Sequence, residues 1–211
     1  MLIVGAKGFA KEVLEILYQR GQLQGLAFYD DVSNNVPALL YNKFPVLRNE
    51  HQVEKHFAEF GNQFTIGIGQ PRLRRKMFEK FTNLHGLFTS TVSLNAEIGN
   101  YGVDIGPGCN VLGGVQISNS TRIGKGCIIY YNSIITHDVT VGDFTELSPG
   151  VTLLGAVKVG ENVQVGAGAI ILPGVTIGNS SIIGAGAVVR SNISDGEVAV
   201  GVPAKTIKKN V

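Results

Sequence analysis

The residues best suited to proton transfer are a histidine and the aspartate that follows it, His137 and Asp138. An imidazole titrates near neutral pH, so a histidine can both take and give a proton under physiological conditions. The other three histidines, His51, His56 and His85, lie in the first part of the chain without a comparable constellation. His137 is therefore the histidine that we consider as the candidate for proton transfer.

Glycines near the start of the chain indicate a second kind of chemistry, phosphate binding. The apolar run 2–4 precedes Gly5-Ala6-Lys7-Gly8-Phe9-Ala10, and an amphipathic helix with apolar residues 13, 14, 16 and 17 follows. The order strand, glycine turn, helix presents free backbone N–H groups to a phosphate. Two further apolar runs end in acidic or glycine residues at the same edge of the expected sheet. The candidate nucleotide contacts are Gly5, Gly8, Asp30, Asp31, Gly67 and Gly69.

This segment predicts a nucleotide-binding βαβαβ domain over residues 1–85. Its pattern, Gly-x-x-Gly-x-Ala, falls short of the full dinucleotide fingerprint, and a purely structural turn stays open as an alternative. The domain is also half the size that a dinucleotide site needs, so an NAD-dependent dehydrogenase is disfavoured. A mononucleotide-linked ligand fits the size better.

A six-residue repeat dominates the rest of the chain. An aliphatic residue at every sixth position fits neither a helix nor an alternating strand, but it fits a parallel β-helix with three hexads per coil. Weaker hexads at Val92 and Ile98, with a one-residue slip before Ile105, suggest one or two earlier coils. The expected domain spans 86–193, followed by a C-terminal tail at 194–211. The fifteen positions are Ile105, Val111, Ile117, Ile123, Ile129, Ile135, Val141, Leu147, Leu153, Val159, Val165, Ile171, Ile177, Ile183 and Val189.

The eighteen-residue period stacks residues of successive coils. It places Gly155 and then Pro173 above His137, near a corner of the prism where a side chain can point outward. A glycine there leaves open space beside the histidine. The same period stacks Cys109 and Cys127 inside the prism, where we expect two small core thiols rather than a disulfide.

Composition excludes several classes of protein. Hydrophobic residues make up 44% of the 211 residues, so global disorder is excluded, and a net charge of +2 is too weak to indicate nucleic acid or membrane as partner. No apolar run reaches the ~20 residues of a membrane span, no secretory signal is evident, and two cysteines fit a reducing compartment. We therefore expect a cytoplasmic protein. Two basic clusters are expected to face solvent. The first contains Arg72, Arg74, Arg75 and Lys76, and the second contains Lys205, Lys208 and Lys209.

The hexads, together with the ending Val200-Gly201-Val202-Pro203-Ala204-Lys205, resemble the left-handed β-helix acyltransferases. The half-Rossmann domain ahead of the prism narrows this resemblance to the sugar O- and N-acetyltransferases. That family includes the UDP-4-amino-sugar N-acetyltransferases of bacillosamine synthesis and the sialic acid O-acetyltransferases. The fold class implied is an α/β half-Rossmann domain followed by an all-β left-handed parallel β-helix.

The resemblance also implies roles. It makes His137 the general base and Asp138 the group that orients it, with acetyl-CoA as co-substrate in a cleft between subunits of a homotrimer. The acyl donor is expected along Gly155, Pro173, Pro203 and Ala204, and the Gly155 N–H is a candidate oxyanion donor. Trimerisation would also cover the flat prism faces. No metal is implied, and no metal-ligand spacing appears in the sequence.

Three positions depart from the family pattern. Relatives carry Asn-Thr where this chain has Tyr130-Tyr131, and a second histidine, tied to the acyl donor, where it has Glu146. Tyr130 and Tyr131 are expected to contact the sugar or base or to pack at an interface. Glu146 is expected to lie at the cofactor, to hydrogen-bond an ammonium or hydroxyl acceptor, or to face solvent. We therefore expect N-acetylation of a nucleotide-linked 4-amino-4,6-dideoxy sugar, with O-acetylation of sialic acid or another sugar hydroxyl as the alternative. A catalytically silent scaffold carrying a nucleotide sensor is a third possibility.

Overall fold

The computed structural model describes residues 1–210 and opens with a six-stranded sheet in the order β3-β4-β2-β1-β5-β6. All neighbouring strands are parallel except β3 and β4. The apolar runs predicted as strands are fully buried in it, because helices cover both faces. The elements are β1 (Leu2–Val4), α1 (Gly8–Gln19), β2 (Ala27–Tyr29), β3 (Leu39–Leu40), β4 (Phe44–Leu47), α2 (Glu50–Phe60), β5 (Gln63–Ile66), α3 (Pro71–Asn83) and β6 (Leu87–Phe88).

The two sides of this sheet carry separate apolar clusters. Ile3 and Phe28 point to the α1 side, where they meet Val13 and Leu17. Side chains at the alternate strand positions, such as Leu2, point to the other side of the sheet, which α2 and α3 cover. Alternation along the strands therefore buries both faces, as expected for a doubly covered parallel sheet.

Two-residue strands, three to a coil, build the second domain. Their register steps by eighteen residues, as in Val111↔Ile129↔Leu147, so that the predicted aliphatic residues stack inside the prism. The strands are β7 (Thr91–Val92), β8 (Glu97–Ile98), β9 (Asp104–Ile105), β10 (Asn110–Val111), β11 (Gln116–Ile117), β12 (Arg122–Ile123), β13 (Ile128–Ile129), β14 (Ile134–Ile135), β15 (Thr140–Val141), β16 (Glu146–Leu147), β17 (Thr152–Leu153), β18 (Lys158–Val159), β19 (Gln164–Val165), β20 (Ile170–Ile171), β21 (Thr176–Ile177), β22 (Ile182–Ile183) and β23 (Val188–Val189).

The three stacks of strands form the faces of a triangular prism. Face I contains β7, β10, β13, β16, β19 and β22; face II contains β8, β11, β14, β17, β20 and β23; face III contains β9, β12, β15, β18 and β21. The weaker hexads at Val92 and Ile98 are strands β7 and β8, and the predicted slip is the seven-residue step to Ile105. Cys109 and Cys127 are buried free thiols in this core. The predicted fold class, with its left-handed β-helix, is confirmed.

The predicted tail forms an antiparallel hairpin. Strands β24 (Glu197–Gly201) and β25 (Ala204–Lys209) pair with each other, and β24 continues face I by pairing with β22. At the other boundary, β6 belongs to the first sheet, so that sheet extends past residue 85 to Phe88. No helix within residues 1–210 is long and apolar enough to cross a membrane.

The first domain packs on face I. Leu112 and Ile128 of the prism are buried in the α1 cluster, and Phe144 is buried in the cluster on the other side of the sheet. Between them, the buried Asn110 side chain accepts a hydrogen bond from Thr65 Oγ1 and donates one to Ile66 O, each at 3.0 Å. This contact fixes the carboxyl end of β5 against the prism.

Candidate active site

A cavity of about 400 Å³ lies at the carboxyl ends of β1, β2 and β5. This is the edge at which open α/β sheets bind ligands. Lys7, Ser33, Leu73 and Met77 contribute to its wall as well, although sequence reasoning did not single them out. All six nucleotide contacts predicted in this domain line it: Gly5, Gly8, Asp30, Asp31, Gly67 and Gly69.

Glycine is required where the two loops of this cavity touch. Gly5 has a φ of +106°, and a Cβ there would lie 2.8 Å from Gly67 O. A Cβ on Gly67 would lie 2.6 Å from Ala10 Cα in the first turn of α1. The loops therefore pack backbone against backbone, which leaves the N-terminus of α1 open to the cavity.

The N-terminus of α1 has the polarity that an anion needs. Helix α1 begins at Gly8 with no acidic residue in its first turn, and the exposed Lys7 is its N-cap. The free N–H groups of the first turn and the lysine ammonium are both positive. This end of the cavity is suited to phosphate.

The two aspartates are held by different contacts. Asp30 Oδ1 accepts hydrogen bonds from the backbone N–H groups of Val32 (3.2 Å) and Ser33 (2.8 Å). Asp31 Oδ2 accepts from Tyr29 OH at 2.7 Å and from Lys80 Nζ at 3.2 Å. Partial burial disfavours the charge of Asp31, but these two bonds lower its pKa below the ordinary value. Each aspartate keeps its second oxygen for a ligand.

Arg74 corrects the prediction that the basic cluster of α3 is solvated. Its side chain is fully buried, with Nε donating to Gly126 O at 2.9 Å and Nη2 to Phe144 O at 2.5 Å. Its Nη1 donates to the carbonyl oxygens of Ile68 and Gly69. Burial lowers the Arg74 pKa to about 10, so the group stays charged at neutral pH. Arg74 thereby ties the glycine loop of the cavity to two successive turns along the prism edge between faces III and I.

Glu146 lies at the seam between the first domain and face I. A Cβ built on Gly69 would lie 3.7 Å from Glu146 Oε2 and within 4 Å of no other atom that the structure describes. Burial raises the Glu146 pKa, although Arg74, Gln164 and Ser148 act in the opposite direction. Glu146 is therefore close to Gly69 of the cavity, whereas Gly155 and Pro173, which were expected with it at the acyl donor, lie along a different part of the same chain's prism. Glu146 follows His137 by nine residues, or one and a half hexads. This spacing places Glu146 on face I and not on the edge that carries His137.

Tyr130 and Tyr131 lie at the corner between faces I and II. The Tyr130 ring packs on Phe9 with centroids 5.1 Å apart, and Tyr131 is 38% exposed. Burial, followed by the charges of Glu12 and Glu146, raises the pKa of Tyr130. Tyr130 is thus partly a packing residue against α1, while Tyr131 has a free surface.

His137 and Asp138 occupy the corner between faces II and III. His137 Nδ1 is 2.8 Å from Asp138 Oδ2, and the two side chains are 70% and 60% exposed. Because a carboxylate only accepts, Nδ1 carries the proton, which leaves the Nε2 lone pair free. Asp138 has a φ of +62°, a backbone conformation that aspartate tolerates better than most residues.

Gly155 lies one coil above His137, as the period predicts, but the space it leaves is already filled. A Cβ on Gly155 would lie 2.7 Å from His137 Cε1 and 2.9 Å from Nε2. The imidazole ring therefore rests on the glycine backbone instead of leaving a gap. Pro173 lies one coil higher in the same column, because Ile135, Leu153 and Ile171 pair in register. Pro203 is exposed in the turn between β24 and β25, and Ala204 begins β25.

Within one chain the candidate residues form two separate groups. The cavity, Glu146 and the tyrosines lie on or beside face I, which the first domain covers. His137, Asp138, Gly155 and Pro173 lie along the edge between faces II and III, which is the edge opposite face I in a triangular prism. No group of three metal-ligating side chains occurs among residues 1–210.

Comparisons with known proteins match both domains. Residues 1–81 match the family described as PglD N-terminal domain, and residues 156–191 match bacterial transferase hexapeptide (six repeats). No curated protein matches the chain. Among solved structures, PerB from Caulobacter crescentus in complex with CoA and GDP-perosamine is 33% identical with a TM-score of 0.89. That alignment covers 98% of this chain and 96% of PerB.

Two further solved structures are similar over the whole length. The acetyltransferase domain of PglB from Neisseria gonorrhoeae, in complex with acetyl coenzyme A, is 27% identical with a TM-score of 0.86. WeeI from Acinetobacter baumannii is 27% identical with a TM-score of 0.87, and each alignment covers 98% of both chains. The identity to PerB over nearly the whole of both chains shows that this chain belongs to the family of hexapeptide-repeat sugar N-acetyltransferases.

Proposed function

We propose that this enzyme transfers the acetyl group of acetyl-CoA to the amino group of a nucleotide-linked 4-amino-4,6-dideoxy sugar. The observation that carries the proposal is the His137–Asp138 pair resting on Gly155 in a hexapeptide prism that also bears a nucleotide-type cavity. The likeness to PerB, solved with CoA and GDP-perosamine, supports the same substrate class.

The cavity is proposed to hold the nucleotide. The N-terminus of α1 and Lys7 would bind the diphosphate, since both are positive and open to the cavity. The free carboxylate oxygens of Asp30 and Asp31 would accept hydrogen bonds from the ribose or the base. The glycine loop at 67–69 would let the sugar pass close to the backbone towards Glu146.

His137 is proposed to act as the general base. Its Nε2 takes a proton from the attacking amine, and the amine nitrogen bonds to the thioester carbon. The oxyanion that forms accepts a hydrogen bond from the backbone N–H of Gly155, which has no protein acceptor among the described residues. When the C–S bond breaks, the imidazolium returns the proton to the CoA sulfur. The products are the N-acetyl sugar and CoA.

We also propose that the active site forms between the subunits of a homotrimer. The cavity and His137 are on opposite sides of one prism, so a sugar bound in the cavity does not reach His137 of the same chain. Ile134, Ile170 and Tyr131, which are 37–39% exposed on or beside face II, would be covered by a neighbouring prism. Cyclic closure would bring one chain's cavity to its neighbour's His137. Because acetyl-CoA and nucleotide sugars are made in the cytoplasm, we place the reaction there.

A thiol-release assay with acetyl-CoA tests the proposal. The acceptors are GDP-perosamine, UDP- and dTDP-linked 4-amino-4,6-dideoxy sugars, and free sialic acid. Turnover of a nucleotide amino sugar is expected, while turnover of sialic acid alone would assign O-acetylation instead. Silence on the whole panel would favour a scaffold with a nucleotide sensor.

Replacement of His137 tests the role of the base. His137→Ala is expected to lower kcat by at least about a hundredfold, because general base catalysis contributes that much or more. KM values for both substrates should change little. His51→Ala, which removes an exposed histidine of α2, is the control. Full activity of His137→Ala would overturn the assignment.

A further inference from the structure

The carboxylate of Glu146 lies close to Gly69, one of the residues that line the proposed nucleotide cavity. Gly69 lines that cavity, and Glu146 Oε2 is the atom that a Gly69 Cβ would contact. A ligand that leaves the cavity over Gly69 therefore meets this carboxylate next.

No protein cation is bonded to Glu146. Among the described residues it makes no ion pair, and its neighbours in the column, Ile128 and Gln164, are uncharged. Arg74 is close enough to influence it, but the guanidinium donates its hydrogen bonds to four backbone carbonyls. Arg74 thus supplies positive charge without bonding to the carboxylate, whose side-chain hydrogen-bond partners are the uncharged Gln164 and Ser148.

A second carboxylate, that of Glu12, lies in the same seam. Glu12 lies on α1, and its Oε2 is buried without a hydrogen-bond partner. The charges of Glu12 and Glu146 both act on Tyr130, which places two carboxylates around one phenol at the seam. The seam therefore holds two carboxylates and the Arg74 guanidinium on one side of the glycine loop, while Lys7 and the N-terminus of α1 make the other side basic.

This polarity matches a ligand with a negative diphosphate and a positive group on the attached sugar. A 4-amino sugar arrives at neutral pH largely as its ammonium form, which donates three hydrogen bonds and no longer accepts any. The ammonium releases one proton to solvent before the neutral amine attacks, so that the proton which His137 transfers to the CoA sulfur is the second one. Taking the proposed function as given, we propose that Glu146 binds this ammonium group and selects amino sugars over their hydroxyl counterparts. Glu146 is then a specificity-determining residue of the sugar site and not a contact of the acyl donor.

Direct binding measurements test this assignment without requiring turnover. GDP-perosamine, the same GDP-sugar with a hydroxyl in place of the amine, and GDP are titrated calorimetrically into wild type and Glu146→Gln. Wild type should bind GDP-perosamine at least about tenfold more tightly than the hydroxyl sugar, and Glu146→Gln should abolish that preference. Affinity for GDP should not change. UDP- and dTDP-linked pairs are used in parallel, since the base preference is an independent property.

Steady-state kinetics separate the sugar site from the acyl-donor site. Glu146→Gln should raise KM for the amino sugar and leave KM for acetyl-CoA unchanged. Glu146→Asp should recover part of the preference for the amine, and Glu59→Gln, an exposed carboxylate on α2, should behave as wild type.

The outcomes distinguish this inference from the proposed function. A wild type that acetylates amino sugars while Glu146→Gln keeps its preference for the amine overturns the inference alone. A rise in KM for acetyl-CoA only would assign Glu146 to the acyl donor and likewise overturn it. A wild type that neither binds nor acetylates any nucleotide amino sugar overturns both. Retained GDP affinity shows that the variant has folded.

Discussion

At the scale of single residues, the candidate base His137 is positioned by its two neighbours more than by burial. His137 is largely exposed, yet its Nδ1 is 2.8 Å from Asp138 Oδ2, and a Cβ on Gly155 would lie within 3 Å of ring atoms Cε1 and Nε2. A ring with a contact on one side and a hydrogen bond at one nitrogen has few orientations left. The free Nε2 is therefore directed without an enclosing pocket in the same chain.

Gly155→Ala tests this support directly. Gly155 does not have a positive φ, so alanine fits its backbone, but the new Cβ would lie within 3 Å of the imidazole and must displace it. We expect kcat to fall at least about tenfold, because misplacement of a reacting group by about 1 Å can cost a hundredfold. KM for the nucleotide sugar and thermal stability should stay close to wild type.

Gly113→Ala is the matched control for this change. It also adds a methyl group at a prism corner, but its Cβ would approach no atom closer than 3.6 Å. Unchanged kcat in Gly155→Ala would mean that the imidazole does not need the glycine.

The titration of Glu146 predicts how its replacement affects stability. Burial raises the pKa of Glu146 in the folded protein, so the protonated acid is the form that the fold prefers. The group's contribution is present below its unfolded pKa and is lost as pH rises through the folded value. Glu146→Gln should therefore be as stable as wild type or more stable at neutral pH, and the difference should vanish near about pH 4.

Urea denaturation of both proteins at these two pH values measures the effect. A variant that is less stable than wild type at neutral pH would show that the carboxylate makes a stabilising contact in the folded chain. The expected result would instead show that the charge of Glu146 costs stability in the folded protein.

At the scale of elements, the repeat made the prism predictable, while the contacts between domains were not. An aliphatic residue at every sixth position predicts a triangular prism with three hexads per coil. The eighteen-residue register follows from those three hexads. The glycine turn likewise predicted the cavity at the ends of β1 and β5. Which face of the prism receives the first domain depends on long-range packing, which no local pattern encodes.

Two residues nevertheless carried a signal for that docking. Ile128 occupies an outward strand position at which face III carries the polar residues Arg122, Thr140 and Lys158, so an apolar residue there is a candidate for a covered surface, as are Ile134 and Ile170 on face II. Arg74 lies three residues after Pro71 and seven before Phe81, which puts it on the buried stripe of α3. Because Arg74 is charged and has basic neighbours in the sequence, the pattern favours a solvated face over this buried position. The position of Glu146 away from the edge of His137 was predictable as well, because the nine residues between them are one and a half hexads.

Arg74 is expected to hold the two domains together. Arg74→Met would fill much of the same space but leave the carbonyls of Gly126, Phe144 and Gly69 without their donor. Buried acceptors without partners cost about 1–3 kcal/mol each, so we expect a loss of about 3 kcal/mol in the free energy of unfolding. Nucleotide affinity should fall as well, because the glycine loop loses its anchor.

Arg72→Met serves as the matched control for this prediction. Arg72 is exposed on the same helix, and its removal should leave the free energy of unfolding within about 0.5 kcal/mol of wild type. Urea denaturation followed by circular dichroism measures both variants. Equal stability of Arg74→Met and Arg72→Met would show that apolar packing alone joins the domains.

At the scale of the whole molecule, one chain carries its two groups of candidate site residues on opposite sides of the prism. The candidate nucleotide cavity lies in the first domain, which packs on face I near Glu146, and the opposite edge bears His137 and Gly155. A closed ring of three chains would place each cavity against the neighbour's edge, so that every site takes residues from two chains. The exposed apolar residues beside face II would be buried by the same contact.

Mixed trimers test this arrangement. Gly8→Glu should block the phosphate end of the cavity, because it adds a negative side chain where a Cβ meets no atom within 4 Å and the fold tolerates it. His137→Ala removes the base but keeps the cavity. Either variant alone should be inactive. Refolded or co-expressed in equal amounts, they should recover about a quarter of wild-type activity, since one interface in four would pair an intact cavity with an intact His137. If cavity and base instead acted within the same chain, mixing would restore nothing.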